Sequence, residues 1–493
     1  MKPGMAVSTL KTAVGQFFGL LLGAVAVKLL AVLAGPAGVG LYSVLRHLQQ
    51  MLSSVASIGG QNAVVQGLSS HQGVARQQFF LSSFYVFVLA SLLLSAAILI
   101  SADFIAAWIF AGEHASAIRW LVIPIVLGAL LFFFRGVLTA EMQFGALSIV
   151  TMLTGLGAAL VALPVGLVYA RGYPNIMVLL LAGGPLLGLL AAFIFVRRQG
   201  YFQGLTAVAP SGATWNATVR FLRVALPSLL SLFLTLGSVL IVRSYIVRLY
   251  GLEGAGQFDA AWSISAMYLA LFLTSLQSYL LPELSQVGTG AEMRSALAKA
   301  FHFSLLISLP LITGLVVMKP LIVSVLFSHE FLPSLNVLRW VLIGDFVRVL
   351  GWVISTALVA RADMKGFALA EGLWSIIFMS MSLLLLSHGL EWVGFAYLVS
   401  YVFYLAFLTW RLWTCHGVSL EGRRLLYWLG GFLLVALSAW LCWNDRELYS
   451  WHFTLILPAV LFSFLIMRSD ERLFARQLLA RLRLRLAGFS GRR

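Results

Sequence analysis

Charge is scarce in this chain, and negative charge is scarcest. Only 10% of the residues are Asp, Glu, Lys or Arg, and 17 of the 493 are acidic. Soluble domains carry roughly 25% charged residues, so a water-soluble fold is excluded. Cysteine is limited to Cys415 and Cys442, expected on opposite sides of a membrane, which excludes a disulfide framework. There is no Walker A loop, no HExxH, no Cys/His metal spacing and no nucleophile elbow. No catalytic residue, metal or cofactor is therefore expected. Long polar stretches are missing too: the largest outer loops, near 102–116 and 328–335, are too short for a folded catalytic domain. The start, Met1-Lys2-Pro3-Gly4, runs into a long apolar span carrying Lys11 and Lys28. It lacks a small-residue cleavage site, so it is expected to be retained.

What is abundant is apolar surface, with 61% of residues hydrophobic. Runs near 20 residues long read as about fourteen membrane-spanning helices. Six fall in 1–196 and six in 220–413, separated by a more polar connector, 197–219, that contains Arg197, Arg198, Pro210, Ser211 and Gly212. Two shorter spans occupy 414–467, and a basic tail closes the chain at 468–493. The fold class expected is an all-α integral membrane protein: two six-helix bundles in a pseudo-twofold repeat plus two C-terminal spans.

The repeat has a concrete marker. Gly35-Pro36-Ala37-Gly38-Val39-Gly40-Leu41-Tyr42 lies between the first two spans, and Gly251-Leu252-Glu253-Gly254-Ala255-Gly256-Gln257-Phe258 follows it 216 positions later. Three glycines and an aromatic share one register. Glycine is needed where φ is positive or backbones touch, so each copy reads as a tight turn between two membrane helices. Parallel repeats of this kind place a transporter's substrate site between the halves. Gly15, Gly19 and Gly23 form GxxxG steps on the first span, the pattern of close helix packing.

The net charge is +16, but no soluble basic patch exists to bind nucleic acid. Most of the 33 cations sit in alternate loops and in the tail. The opposite, outside segments hold only Arg119, Arg171, Arg248, Lys319 and Arg446, so the positive-inside bias puts both termini in the cytoplasm. The tail, with Arg481-Leu482-Arg483-Leu484-Arg485-Leu486, is expected to lie on anionic lipid.

Six cations remain, all within spans: Lys28, Arg46, Arg135, Arg243, Arg339 and Arg348. Each costs roughly 2.5–3.5 kcal/mol at a helix centre on insertion scales. The intramembrane carboxylates are fewer, Asp259, Asp345 and Glu371, and either neutralise arginines or serve ion coupling. An anionic substrate accounts for the excess. The second span is the least apolar. Its Arg46, Gln49, Gln50, Ser53 and Ser57 share one helical stripe, expected to line a cavity or a helix interface. The counterpart stripe carries Asp259, Ser263, Ala266, Ala270, Thr274 and Gln277.

The Lys28-Leu29-Leu30-Ala31-Val32 stretch followed by the glycine turn resembles the first hairpin of Wzx-type polysaccharide flippases, those for O-antigen and enterobacterial common antigen units. Tyr279-Leu280-Leu281-Pro282-Glu283-Leu284-Ser285, Gly344-Asp345-Phe346-Val347-Arg348-Val349 and Ala370-Glu371 resemble later spans of that family. The resemblance covers about 1–413 and implies the fold of the multidrug/oligosaccharidyl-lipid/polysaccharide exporter superfamily. It also implies a bacterial inner-membrane location and transfer of undecaprenyl-diphosphate-linked oligosaccharide to the periplasmic leaflet by alternating access. Lys28, Arg46, Arg135, Arg243 and Arg348 occupy positions at which the family's cavity cations are thought to meet the diphosphate and acidic sugars. Expected partners are that glycan lipid, anionic lipids and other membrane proteins of polysaccharide assembly. The spans in 414–467 depart from the twelve-span pattern and match the fourteen of peptidoglycan-precursor flippases, which keeps that substrate as an alternative. A multidrug antiporter predicts a carboxylate-rich lumen. A polysaccharide polymerase or ligase needs an outer catalytic loop.

Overall fold

The computed structural model describes residues 3–58, 60–201, 212–287, 290–443 and 449–467. The middle of the connector, Arg446 and the whole basic tail lie outside the described residues, as do the side chains of Lys11 and Gln277. Every regular element among the described residues is helical. In chain order they are α1 (Pro3–Ala56), α2 (Gln61–Ser70), α3 (Gly73–Phe110), α4 (Ala115–Trp120), α5 (Val122–Ala140), α6 (Phe144–Ala170) and α7 (Met177–Arg198). There follow α8 (Gly212–Gln286), α9 (Gly290–Leu326), α10 (Leu335–Ala360), α11 (Met364–Leu385), α12 (Trp392–His416), α13 (Gly422–Leu441) and α14 (Ile456–Ile466).

Eleven helical stretches among the described residues are long and apolar enough to cross a membrane. Two of these are double. Helix α1 has 54 residues and α8 has 75, lengths of roughly 80 and 110 Å at 1.5 Å per residue, against a hydrocarbon core of about 30 Å. Each breaks at one glycine: Gly35 at φ 61°, ψ −168°, and Gly251 at φ 67°, ψ −171°. Pro36 then opens the second arm of α1 at a position where a missing N–H costs nothing. Counting both arms of α1 and of α8, and the shorter apolar helix Ser450–Ile466, the described chain accounts for the expected fourteen spans.

The three repeated glycines have three different causes, each the same in both copies. Gly35 and Gly251 supply the positive φ. A Cβ on Gly38 would lie 2.3 Å from that of Ala34, and one on Gly254 2.4 Å from that of Tyr250. A Cβ on Gly40 would lie 1.9 Å from the Leu252 carbonyl oxygen, and one on Gly256 2.0 Å from that of Pro36. The last pair is reciprocal: the two turns pack backbone to backbone on each other, as an isologous contact does in a symmetric dimer.

Packing divides the chain into two compact units. The first comprises Met1–Leu271, Val323–Val337 and Ala368–Ser400. In it the first arm of α1 lies on α6 through small residues. A Cβ on Gly15 would strike Ser148 at 2.5 Å and one on Gly19 would strike Thr151 at 2.8 Å, whereas Gly23 meets nothing within 4 Å. Two of the three GxxxG glycines thus permit helix contact. An aromatic core of Phe79, Phe80, Phe87, Phe133 and Phe134 fills the space between α3 and α5.

The second unit comprises Phe272–Ile322, Leu338–Phe367 and Tyr401–Arg493. Helix α13, one of the two additional spans, is bound firmly within it. Trp428 packs 4.5 Å from Phe346, centroid to centroid, and Gly431 lets α13 approach Phe346 and Leu305. Two buried cations cap its C-terminal end. Lys319 donates to the Cys442 carbonyl at 2.5 Å and Arg339 to that of Trp443 at 3.1 Å, with the Arg339 guanidinium 3.5 Å from the centroid of the Trp443 ring. Lys319, counted with the outside segments by the charge pattern, is 1% exposed inside α9. Cations at helix C-termini satisfy orphan carbonyls and oppose the dipole.

Candidate functional site

The second arm of α1 and the second arm of α8 leave the packed turns as a matched pair. One turn beyond the Gly40–Gly256 contact sits Arg243, from the first arm of α8, 2% exposed. It donates to Ser43 Oγ at 3.0 Å and to Asp259 Oδ1 at 2.7 Å, and it lies 5.0 Å from the centroid of the Phe258 ring. Ser43 and Asp259 are equivalent positions of the two repeats. A buried cation here is tolerable because the carboxylate, the hydroxyl and the ring all face it.

This geometry sorts the expected cations. Arg243 and Asp259 form a buried ion pair at 2.7 Å. Lys28 Nζ donates to the Ser324 carbonyl at 3.0 Å and to that of Phe327, closing the C-terminal end of α9. Arg339 serves α13 in the same way. Arg348 and Asp345 lie in the second unit, Arg348 half-buried at 5.3 Å from the Tyr401 ring centroid and Asp345 fully buried. Glu371 is half-buried on α11.

Arg46 and Arg135 are different. Neither has a carboxylate within ion-pair distance among the described residues. Arg46 is half-buried, 5.6 Å from the Tyr42 ring centroid. Arg135 is half-buried on α5 and donates to Thr151 Oγ1 at 2.7 Å. They stand at different depths. Gln49 and Ser53 of α1 touch the start of α5 near Pro124 and Ile125, so the two segments run in parallel. Arg135 therefore lies roughly 20 Å further along than the level of Arg46, at 1.5 Å per residue.

The polar stripe of the second span splits in two. Gln49 Nε2 donates to the Pro124 carbonyl at 3.0 Å and Ser53 Oγ to that of Ile125 at 3.1 Å, against a glycine, Gly128, that leaves room for them. Of the cavity or helix interface expected for the stripe, these two form the interface. Ser57 is buried and bonds back to the Ser54 carbonyl. The less buried face is Arg46, Gln50 and Ser54, spaced four apart, with Gln50 exposed. His47, buried, meets the Leu236 carbonyl at 2.9 Å.

On the second arm of α8 the equivalent positions are Trp262, Ala266 and Ala270. Ala266 and Ala270 are exposed and Trp262 is half-buried. Sequence reasoning passed over Trp262 and Ser43, although the 216-residue offset that marks the turns also aligns Arg46 with Trp262 and Ser43 with Asp259. A membrane span rich in aromatics gives no reason to single out one tryptophan.

Comparison with known proteins places these features in a family. A family model described as "Polysaccharide biosynthesis protein" matches residues 29–336. Two curated proteins named "Lipid III flippase", from Escherichia coli (strain K12) and Shigella flexneri, are each 26% identical over 416 residues, covering 82% of this chain and 95% of theirs. In structure, the chain resembles the lipid II flippase MurJ in an inward closed conformation, with a TM-score of 0.72 and 15% identity over 96% of this chain and 100% of the other. It also resembles an inward-facing multidrug resistance transporter of the MATE family and MOP superfamily. There the TM-score is 0.64 at 14% identity, covering 82% of this chain and 98% of the other.

Proposed function

We propose, from the premise that the chain belongs to the polysaccharide biosynthesis protein family, that it is a multi-pass bacterial membrane flippase for a lipid-linked oligosaccharide. The lipid carrier on this reading is an undecaprenyl diphosphate, as in Wzx-type flippases, and the protein works by alternating access. The observation that carries the proposal is the pair of partly buried arginines, Arg46 and Arg135, with which no carboxylate among the described residues forms an ion pair. Their cost in a membrane is recovered when a dianionic diphosphate arrives. Their separation in depth gives such a group a second station as it moves. The packed glycine turns form, in this scheme, the closed outer end of the cycle, with both chain termini on the cytoplasmic side.

The curated relatives support a lipid-linked cargo. Asp259 is paired with Arg243, and ion coupling is assigned here to Asp345 or Glu371. Flipping breaks no covalent bond, so no nucleophile is needed. The proposal is tested in proteoliposomes by headgroup accessibility of a defined lipid-diphosphate sugar. Arg46→Ala and Arg135→Ala are expected to abolish flipping in protein that folds normally. Unchanged flipping by both variants ends the proposal.

A further inference from the structure

The two repeats have diverged at equivalent positions of the arms that follow their turns. Where the first presents Arg46 and Gln50, the second presents Trp262 and Ala266. Trp262 does not stand alone. Its ring lies 5.4 Å from Phe258, 5.8 Å from Phe378 and 5.6 Å from Tyr397, centroid to centroid, and Phe378 stacks on Trp374 at 5.3 Å. These contacts fix the plane of the indole. They also leave it half-buried, with the small, exposed Ala266 one turn further along the same face. The indole N–H has no hydrogen-bond partner among the described residues, and it is not a buried orphan either. It is an accessible donor beside a rigid ring face.

A rigid ring face next to an open donor is what a pyranose ring requires. The face of an indole is electron-rich and attracts the partly positive C–H groups on the apolar side of a sugar, while ring hydroxyls take the N–H. The half-buried Arg46 occupies the equivalent position in the first repeat. From the divergence of these two positions we infer that the second arm of α8, through Trp262, is the glycan-binding wall of the transport site and Arg46 its diphosphate-binding wall. The inference rests on the flippase reading above and adds to it: specificity for the first sugar resides in the second repeat, and recognition of the shared diphosphate in the first. Trp262 is thereby a specificity-determining residue and Ala266 the space that admits the sugar.

The test uses the full chain in nanodiscs and two probes: a short polyprenyl diphosphate, and the same lipid carrying N-acetylglucosamine on its terminal phosphate. Binding is read by thermophoresis. The natural protein is expected to bind the sugar-bearing probe about three- to tenfold more tightly, the size of one aromatic stacking contact. Trp262→Ala should make the two affinities equal without changing that for the bare diphosphate, and Trp262→Phe should keep most of the difference. Ala266→Leu fills the space while leaving the indole in place, and should also remove the difference. Arg46→Ala should weaken both probes. Equal binding of the two probes by the natural protein overturns the inference, as does a sugar preference that survives in both Trp262→Ala and Ala266→Leu. Failure of the natural protein to bind either probe is a different result. It overturns the diphosphate reading itself, and the glycan wall with it.

Discussion

Ser43 and Asp259, equivalent residues of the two repeats, are joined through one guanidinium, that of Arg243. The chain thus places a single buried cation across the seam between the hairpins of its two repeats. Removing one member of a buried pair leaves the other charge uncompensated and costs about 3–5 kcal/mol. Arg243→Met and Asp259→Leu are each expected to lower the thermal unfolding midpoint strongly. The double variant should recover much of the loss. Additive losses in this double-mutant cycle count against a direct pair.

Lys28 behaves as a cap in this structure. Its contacts are carbonyls at the end of α9, and hydrogen bonds from a charged donor contribute about 1.5–3 kcal/mol. Lys28→Met should therefore destabilise the protein by about that much and leave the affinity for a polyprenyl diphosphate unchanged. Lost affinity in a variant of unaltered stability restores Lys28 to the substrate site.

The glycine turns make opposite predictions for chemically identical changes. Gly40→Ala and Gly256→Ala drive a methyl group into a backbone carbonyl, which cannot rotate away, and overpacking of this kind costs about 1–3 kcal/mol or more. Gly23→Ala meets open space and should be neutral or gain up to about 1 kcal/mol from helix propensity. Thermal unfolding of the three variants in one detergent separates the cases.

Water access divides the stripe of the second span. With Cys415 and Cys442 replaced by alanine, single cysteines at Gln50 and Ser54 should react with a membrane-impermeant thiol reagent. Cysteines at Gln49 and Ser53 should not, because those side chains are buried against α5. Equal labelling at all four positions contradicts the split.

Asp363, in the turn between α10 and α11, is gripped by Arg411 at 2.9 and 3.1 Å, by the Gly366 N–H at 2.9 Å and by His416 at 3.1 Å. The hydrogen bonds from Arg411, foremost, hold its carboxyl well below the usual carboxylate range. A depressed value means that the stabilisation is complete above the unfolded value of about 3.9 and is lost only as pH falls through the folded one. Unfolding midpoints of the natural protein and Asp363→Asn should therefore differ by a constant amount from pH 5 to 8 and converge only in strong acid. A difference that shrinks between pH 5 and 8 contradicts the assignment.

Much of the architecture could be read along the chain. Hydropathy marks the spans, since a bilayer of fixed thickness demands apolar runs of fixed length. The offset between Gly35 and Gly251 marks the duplication, since turns that must adopt positive φ and touch one another tolerate no side chain. The site was less legible. The sequence showed an excess of intramembrane cations over carboxylates but could not pair them. Lys28 finds its carbonyls in residues 324 and 327, and Lys319 and Arg339 find theirs in 442 and 443. Such partners lie on backbone, which carries no sequence signal.

Composition and periodicity by themselves determined a helical membrane protein, duplicated, with more positive than negative charge inside its spans. Those properties follow from solvation and from local backbone geometry, which act residue by residue. Only the tertiary structure decided which of the cations are consumed by helix ends and carboxylates, and that Arg46 and Arg135 form no ion pair among the described residues. That decision depends on which helix end comes to lie against which side chain, a relation between segments hundreds of residues apart.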